Sequence, residues 1–537
     1  MPETTAMHDR RHFVRPWLWS AAIVVIIRLL HATDINYDVT LQIQAGQHLL
    51  QGKGLAVYWP TADDIRKPLT LEELTQFAAG YSLYTAALTA AGVTDVGALV
   101  KIAGAIATLV GWWGWARIAY AFMADGMRQH RFSRVAGLWV AVVCPILFTG
   151  RWGGTDILLW AIIPWALDFI VRRQDLKAGL VIGAGVLARY AGVFVAGVAL
   201  AVIAWQRPWR RVIALAAGIM PAFIIQSYLN SVATTTVFVP GSVQLSRDVL
   251  EVAGARALES LNSFARANHL LFFWVPGRFR LWNNPSFEPF FAAVLWVLLL
   301  AIFIRVLHRG RSSGDLLVAA AGLLIALPIF LWACVPFGTF DYLRQSRYWE
   351  VLRPLAVFAA FFLAAARQRL AQAYVVAFIV TTMVEVTFIA VPTASGDPWR
   401  RALVGADPHP WPSLQLTYEF SDSRDFVLQL MEAEPNALLI TDHEHWFWAE
   451  PGTDRSRIMR WEPCDSLRAT QISGPLRVFI FETELTTDIR WPNRPEEYWA
   501  CWPELPVTLV KRFPGERTRV LQAVLGEHDR LSIRPPL

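Results

Sequence analysis

The stretch GLVIGAGVLARYAGVF, residues 179–194, decides how the chain is threaded. It is apolar on both sides of a single arginine. Read as the centre of one helix over about 178–205, it leaves Arg189 at mid-membrane, where a guanidinium is costly unless it faces protein or water. Read as two short helices, about 178–190 and 191–205, it places Arg189 at a turn on the outer side. The two readings differ by one crossing, so they send all of the downstream chain to opposite sides of a membrane.

Basic residues choose between them. Arg10, Arg11 and Arg15 precede the first apolar run. Arg128, Arg131 and Arg134 follow the second, Arg172, Arg173 and Lys177 the fourth, and Arg207, Arg210 and Arg211 the sixth. Further on stand Arg305, Arg309 and Arg311, then Arg367 and Arg369. Apolar segments fall at about 17–32, 97–122, 135–149, 157–170, 178–190, 191–205, 211–229, 289–307, 314–334, 350–366 and 371–391. With about eleven transmembrane helices, every basic cluster lies on the cytoplasmic side, as the positive-inside rule requires. The two-helix reading is therefore preferred. It puts the N-terminus inside and the C-terminal region outside.

Composition agrees with a polytopic membrane protein. The 537 residues are 55% hydrophobic and only 17% charged, against roughly 25% charged in an ordinary soluble domain. Mean hydropathy is +0.37. The 25 tryptophans suit interfacial belts or apolar grooves. A net charge of +6, with the basic residues gathered in short loops, argues for topology signals and against a nucleic-acid surface. The first apolar run has no small-x-small cleavage site before Asp34, so it is expected to stay as a span.

The expected organisation is a transmembrane domain over about 1–395 and a soluble extracytoplasmic domain over about 396–537. Two outer loops, about 33–96 and 230–288, belong to the first. In the first loop, NYDVTLQIQAGQHLLQG predicts an amphipathic helix with Val39, Ile43 and Leu50 towards one side. TLEELTQFAAGYSLYTAALTAAG predicts another, with Thr70 as a cap and Glu73 three residues on. The second loop, with ANHLLFFWVPGRFRLWNNPSFEPF, is long for a connector, and such loops are often functional. In the tail, NALLIT, LRVFIF and PVTLVKRF read as strands and DSRDFVLQLMEAEP as a helix, which predicts a small α/β domain. Cys144 and Cys334 sit in apolar runs. Cys464 and Cys501 share the outer tail, where a disulfide is permitted but not required.

Three features carry chemistry. Asp34 and Asp38 lie just beyond the first span, four residues apart, able to share a helix face or to cap the helix that follows. Arg151 and Asp156 lie in TGRWGGTDILLW, at the outer end of a helical hairpin. Asp156 is either a second site acid or a helix cap. Lys67, Arg189, Arg347 and Arg353 lie at or near the outer boundary. Phosphate head groups need donors at that depth, and ordinary snorkelling cations also settle there. Arg347 has the aromatic Tyr348 beside it.

The order of these segments resembles the GT-C glycosyltransferases, polytopic enzymes that use polyprenyl-phosphate sugars and include the protein mannosyltransferase and aminoarabinose transferase relatives. NYDVTLQIQAGQHLLQGKGL is similar to their first outer loop, with Asp38 at the catalytic acid by its spacing to Gly52. Val39 stands where a second acid is frequent, and Thr40 and Leu41 replace the usual aromatics. FAAGYSLYTAAL resembles the passage that follows, FTGRWGGTDILLWAIIPWAL the later acidic hairpin, GLVIGAGVLARYAGVF the short helix pair, and SRYWEVLRP the late Arg–Tyr segment. The likeness spans about residues 15–390.

The resemblance implies a GT-C-like all-α membrane fold in a bacterial inner membrane. It also implies inverting transfer of a sugar from a polyprenyl-phosphate donor to a lipid, glycan or protein hydroxyl at the outer face. Asp38 is then the general base, and Asp34 and Asp156 orient it or bind acceptor. Lys67, Arg189, Arg347 and Tyr348 hold the donor phosphate. No cofactor is implied with certainty, and a divalent metal is left open. The rival reading is a transporter or flippase of lipid-linked substrate, which uses the same basic patch without a base. A scaffold that recruits a partner through its tail accounts for the tail alone.

Overall fold

In the computed structural model of the protein, the residues described are 22, 37–59, 70–74, 77–126, 154–190, 192–205, 209–232, 369, 376, 421–441, 447–448, 453–460, 475–483, 508–514 and 518–525. Asp34, Lys67, Arg151, Arg347, Tyr348 and Arg353, the loop 233–288 and all four cysteines lie outside them. So do the expected spans at 135–149, 289–307, 314–334 and 350–366, and all but single residues of those at 17–32 and 371–391. The chain folds as two compact units. One is Met1–Asp34, Thr75–Tyr81 and Val100–Leu414; the other is Ile35–Leu74, Ser82–Leu99 and Gln415–Leu537.

The elements in chain order begin with α1 (Tyr37–Leu50), the hairpin strands β1 (Ala56–Trp59) and β2 (Thr70–Glu73), and α2 (Gly80–Ala90). The helices α3 (Val96–Gly126), α4 (Thr155–Val171), α5 (Asp175–Ala188), α6 (Gly192–Trp205) and α7 (Trp209–Val232) follow. The tail holds α8 (Ser421–Ala433), β3 (Leu438–Thr441), β4 (Ile458–Arg460), β5 (Leu476–Thr483), β6 (Thr508–Phe513) and β7 (Thr518–Leu525). Among the described residues, Val96–Ile118 and Trp209–Asn230 are long and apolar enough to cross a membrane.

The first unit is helical. The run 178–205 is two helices: α5 ends at Arg189, which is fully extended (φ −160°, ψ 138°), and α6 starts three residues later. α5 packs against both α4 and α7. Its approach to α7 is set by small residues four apart, Gly179 and Gly183 on α5 facing Gly218 and Ala222 on α7. A Cβ at Gly218 would fall 2.5 Å from the Leu176 carbonyl. α4 packs on α3 through tryptophans, with Trp112, Trp115 and Trp160 fully buried. Pro164 inside α4 cannot donate to the carbonyl of Trp160 one turn back. The indole N–H of Trp115 donates to that carbonyl instead, at 3.2 Å. In an apolar surround every freed carbonyl needs such a partner.

In the second unit, α1 sits against the hairpin of β1 and β2. The tail forms a five-stranded sheet in the order β4-β3-β5-β7-β6. β3 runs parallel to β4 and β5, while β7 is antiparallel to β5 and β6. The central strands are continuous apolar runs: Leu438, Leu439, Ile440, Val478, Phe479, Ile480 and Phe481 are all buried, as strands covered on both faces must be. The expected α/β character of the tail is thus seen.

Two expectations are corrected. Thr70 and Glu73 do not cap a helix: they are the ends of β2, paired with Trp59 and Ala56. The capping pattern is local, and cross-strand pairing with a segment a dozen residues away overrides it. Helix formation waits until Gly80. Val39 and Ile43 are buried on α1 as expected, but Leu50, at its end, is exposed.

Candidate functional site

Asp38 stands in the first turn of α1, half-buried. A carboxylate there is favoured by the positive end of the helix dipole. Its backbone carbonyl accepts a hydrogen bond from the Gln42 side-chain amide at 2.8 Å. What distinguishes α1 is its burial on nearly all sides. Val39, Leu41, Ile43 and Ala45 are buried, and so are the polar Thr40, Gln42, Gln44 and His48. Gly46 permits the close crossing with α2, since a Cβ there would meet the Ser82 carbonyl at 2.5 Å. Burying a polar side chain costs free energy unless its hydrogen bonds are replaced.

At the far end of α1, His48 donates from Nδ1 to the Ala56 carbonyl at 2.7 Å, which leaves its Nε2 as the acceptor. Its ring meets Tyr58 edge-on, with centroids 5.1 Å apart. Burial pushes the imidazole pKa below its ordinary value, and the nearby charges of Arg455 and Lys53 push the same way. His48 is therefore neutral near pH 7. Arg455, from the tail, donates to the Gln47 amide oxygen at 2.9 Å. Among the described residues no group of three His, Cys, Asp or Glu side chains gathers in a metal-holding arrangement.

The helical unit holds a second polar centre. Gly154 is the N-cap of α4, in a backbone conformation (φ 79°, ψ −144°) that glycine alone adopts readily, and it makes no side-chain cap. Asp156, in the first turn, is buried and forms an ion pair with Arg189 at the end of α5. These two residues from separate sequence motifs are thus brought together. Next to Arg189, the Tyr190 hydroxyl donates to the Asn230 side-chain oxygen at 3.2 Å. The Gln226 amide donates to the same oxygen at 2.9 Å. The Gln226 oxygen accepts from the backbone N–H of Ala79 at 3.0 Å. One amide network therefore ties the chain entering α2 to α7 and to the α5–α6 turn. Gly80 is part of that fit, because a Cβ on it would run 2.6 Å from the Leu187 carbonyl.

The opposite end of these helices is also ionic. α4 has 17 residues, which gives about 25 Å of rise. At its far end Asp168 accepts from Arg117 at 2.7 Å and from Arg172 at 3.1 Å. Asp175 at the start of α5 receives both Nε and a terminal nitrogen of Arg211, at 2.9 and 3.0 Å. Arg172 and Arg211 thus share one end of these helices.

Gln226, Asn230, Tyr190, His48 and Arg455 were not singled out from the sequence. Two amides at i and i+4 in an otherwise apolar helix are the signal that exposes Gln226 and Asn230. Arg455 has no comparable local signal.

No protein-family model matches the chain, and none of the curated proteins matches it. Among solved structures, the chain is similar to the crystal structure of ArnT from Cupriavidus metallidurans bound to undecaprenyl phosphate. The two are 14% identical, the match covers 95% of this chain and 98% of that one, and the TM-score is 0.41.

Proposed function

We propose that the chain is a multi-pass glycosyltransferase of GT-C type, moving a sugar from a polyprenyl-phosphate donor to an acceptor hydroxyl at the outer membrane face. The observation that carries this reading is Asp38, a half-buried carboxylate at the head of a helix whose buried side chains include Thr40, Gln42, Gln44 and His48. Of these, Thr40 and Gln42 lie within about one turn of Asp38, and buried polar side chains next to a carboxylate suit a hydroxyl-rich ligand. The order of the sequence motifs, from the Asp38 loop to the Arg347–Tyr348 segment, supports the same reading.

In this reading Asp38 accepts the proton of the acceptor hydroxyl as its oxygen bonds to the anomeric carbon. The bond from that carbon to the carrier phosphate breaks on the opposite face, and the phosphate leaves with the electron pair. The leaving group is already an anion-stabilising phosphate, so cationic donors serve better than a strong acid. Lys67, Arg347 and Tyr348 are assigned there. Arg189, oriented by Asp156, has a planar fork able to bridge a carboxylate and a phosphate. Asp34 orients Asp38 or binds acceptor. The membrane arrangement that accompanies this has about eleven spans, an inner N-terminus and an outer domain over about 396–537.

The test is incubation of the full-length protein in lipid nanodiscs with a panel of polyprenyl-phosphate sugars and hydroxyl acceptors, following release of the free carrier phosphate. Release that depends on Asp38 supports transfer. Carrier movement between leaflets without release identifies the rival, a transporter of lipid-linked substrate.

A further inference from the structure

Arg455 is held where a guanidinium needs an anion and has been given a neutral amide. It opens the short 3-10 turn Arg455–Arg457 of the tail. The neighbouring acid, Asp454, is engaged by Ser456: its carboxylate accepts from the Ser456 backbone N–H at 3.1 Å and from the hydroxyl at 2.6 Å. The side chain of Arg455 is half-buried, and burial drives its pKa down to about 10. Its polar partner among the described residues is the Gln47 amide oxygen at 2.9 Å, and no carboxylate among them pairs with it. A positive charge withdrawn from water and facing a dipole is an expensive arrangement unless a ligand completes it.

The surroundings supply donors. Lys53 acts electrostatically on the same imidazole, His48, that Arg455 acts on. It stands in an exposed turn between Gly52 and Gly54, both in the left-handed region (φ 74° and 79°). Gln44, one turn before Gln47 and His48 on the same face of α1, is buried at 1% exposure, and both atoms of its amide are without a hydrogen-bond partner among the described residues. The site lies at the C-terminal end of α1, where free carbonyls would repel an anion. Three of those carbonyls are already taken: Gln47, His48 and Leu49 accept from the backbone N–H groups of Gln51, Lys53 and Gly52.

We infer that Arg455, Gln47, Gln44 and Lys53 form a binding site for a phosphate-class oxyanion, with the fork of Arg455 as its anchor. Arginine's planar donors match a tetrahedral oxyanion in pairs, and the amides and the ammonium satisfy its remaining oxygens. The tail supplies the anchor, and α1 with the turn that follows it supplies the rest, so occupancy couples the tail to the helix whose first turn holds Asp38. The ligand is either a free phosphate or the phosphate of a lipid head group. This inference stands apart from sugar transfer, because binding is read without turnover.

The test uses the full-length protein in nanodiscs. In one arm, inorganic phosphate is titrated calorimetrically against protein in phosphatidylcholine discs. In the other, discs with and without phosphatidic acid are compared by hydrogen exchange over 37–59 and 453–460. Saturable binding in the first arm identifies a soluble ligand, and protection by phosphatidic acid in the second identifies a head group. Arg455→Gln is expected to weaken the effective ligand on the order of 10–100-fold, the worth of a charged hydrogen-bond anchor. Lys511→Gln, elsewhere in the tail, is expected to change nothing. Gln47→Glu guards against a misfolded variant: it gives Arg455 an internal carboxylate of nearly the same shape, so the protein keeps its fold and loses the ligand. No response in either arm overturns the site, as does wild-type binding by a folded Gln47→Glu protein.

Discussion

Arg189 and Asp156 form an ion pair between the end of α5 and the first turn of α4. Their side chains are 14% and 7% exposed, so neither charge would be well hydrated without the other. Removing one partner of a buried pair typically costs about 3–5 kcal/mol, whereas replacing both with apolar groups of similar size is far cheaper. Asp156→Ala is therefore expected to destabilise the protein strongly, and Asp156→Leu with Arg189→Met to recover most of the loss. Thermal unfolding of the unmodified protein and the two variants in one detergent measures it. Equal losses from the single and double variants would show that the two residues do not act as a unit.

A second cycle tests the packing of α3 on α4. Trp115→Phe keeps an aromatic ring, though a smaller one, and removes the N–H that serves the Trp160 carbonyl. Leaving a buried carbonyl unpaired is expected to cost about 1–3 kcal/mol. Pro164→Ala restores a backbone N–H at the position that can reach the same carbonyl. The Trp115→Phe penalty should therefore shrink in the Pro164→Ala background, read by unfolding temperature. A penalty of the same size in both backgrounds would show that the indole bond carries no such load.

These two relationships differ in how far the sequence discloses them. The break at Arg189 is legible, because a guanidinium centred in an apolar run has few tolerable places. Its pairing with Asp156 is not, since two separate motifs meet only in the folded hairpin. The tail's β3 and β5 are legible from LLIT and from LRVFIF, where four apolar residues follow Arg477, short β-branched and aromatic runs of strand length. TLEE misleads, because its residues favour a helix while its neighbour across the hairpin makes it a strand. Gln226 and Asn230 are overlooked inside an apolar helix, where a hydropathy average hides them. The bond from Arg455 to Gln47 joins residues 408 positions apart, and no local pattern foretells it.

His48 predicts a pH dependence. Its pKa in the folded protein lies below the ordinary 6.5, mainly through burial. The unfolded chain therefore binds a proton more readily than the folded one, and stability rises with pH across that interval. The contribution is fully present above about pH 6.5 and is lost as pH falls below it. Protection factors over 37–59, that is, exchange rates corrected for the intrinsic fall of amide exchange with falling pH, should drop between pH 6.5 and 5, and His48→Asn, which keeps a donor for the Ala56 carbonyl, should flatten the change. An unaltered pH profile in His48→Asn would remove His48 as the titrating group.

The sharpest prediction concerns Asp38. Asparagine has nearly the shape of aspartate and can sit in the first turn of α1, yet it cannot take the proton of an attacking hydroxyl. Asp38→Asn is expected to retain fold and donor binding and to lose 10²–10⁴-fold in transfer, about 3–5 kcal/mol of transition-state stabilisation. Asp34→Asn should cost less if Asp34 only orients or caps. Arg347→Ala should weaken donor binding as well as rate, because a phosphate contact serves the ground state and the transition state alike. If instead both aspartates only support structure, their variants show small, similar losses that track unfolding temperature. Donor binding and single-turnover transfer, measured for each variant in the same lipid, separate these outcomes. Near-normal transfer by Asp38→Asn would reject Asp38 as the base and move that role to Asp34 or Asp156.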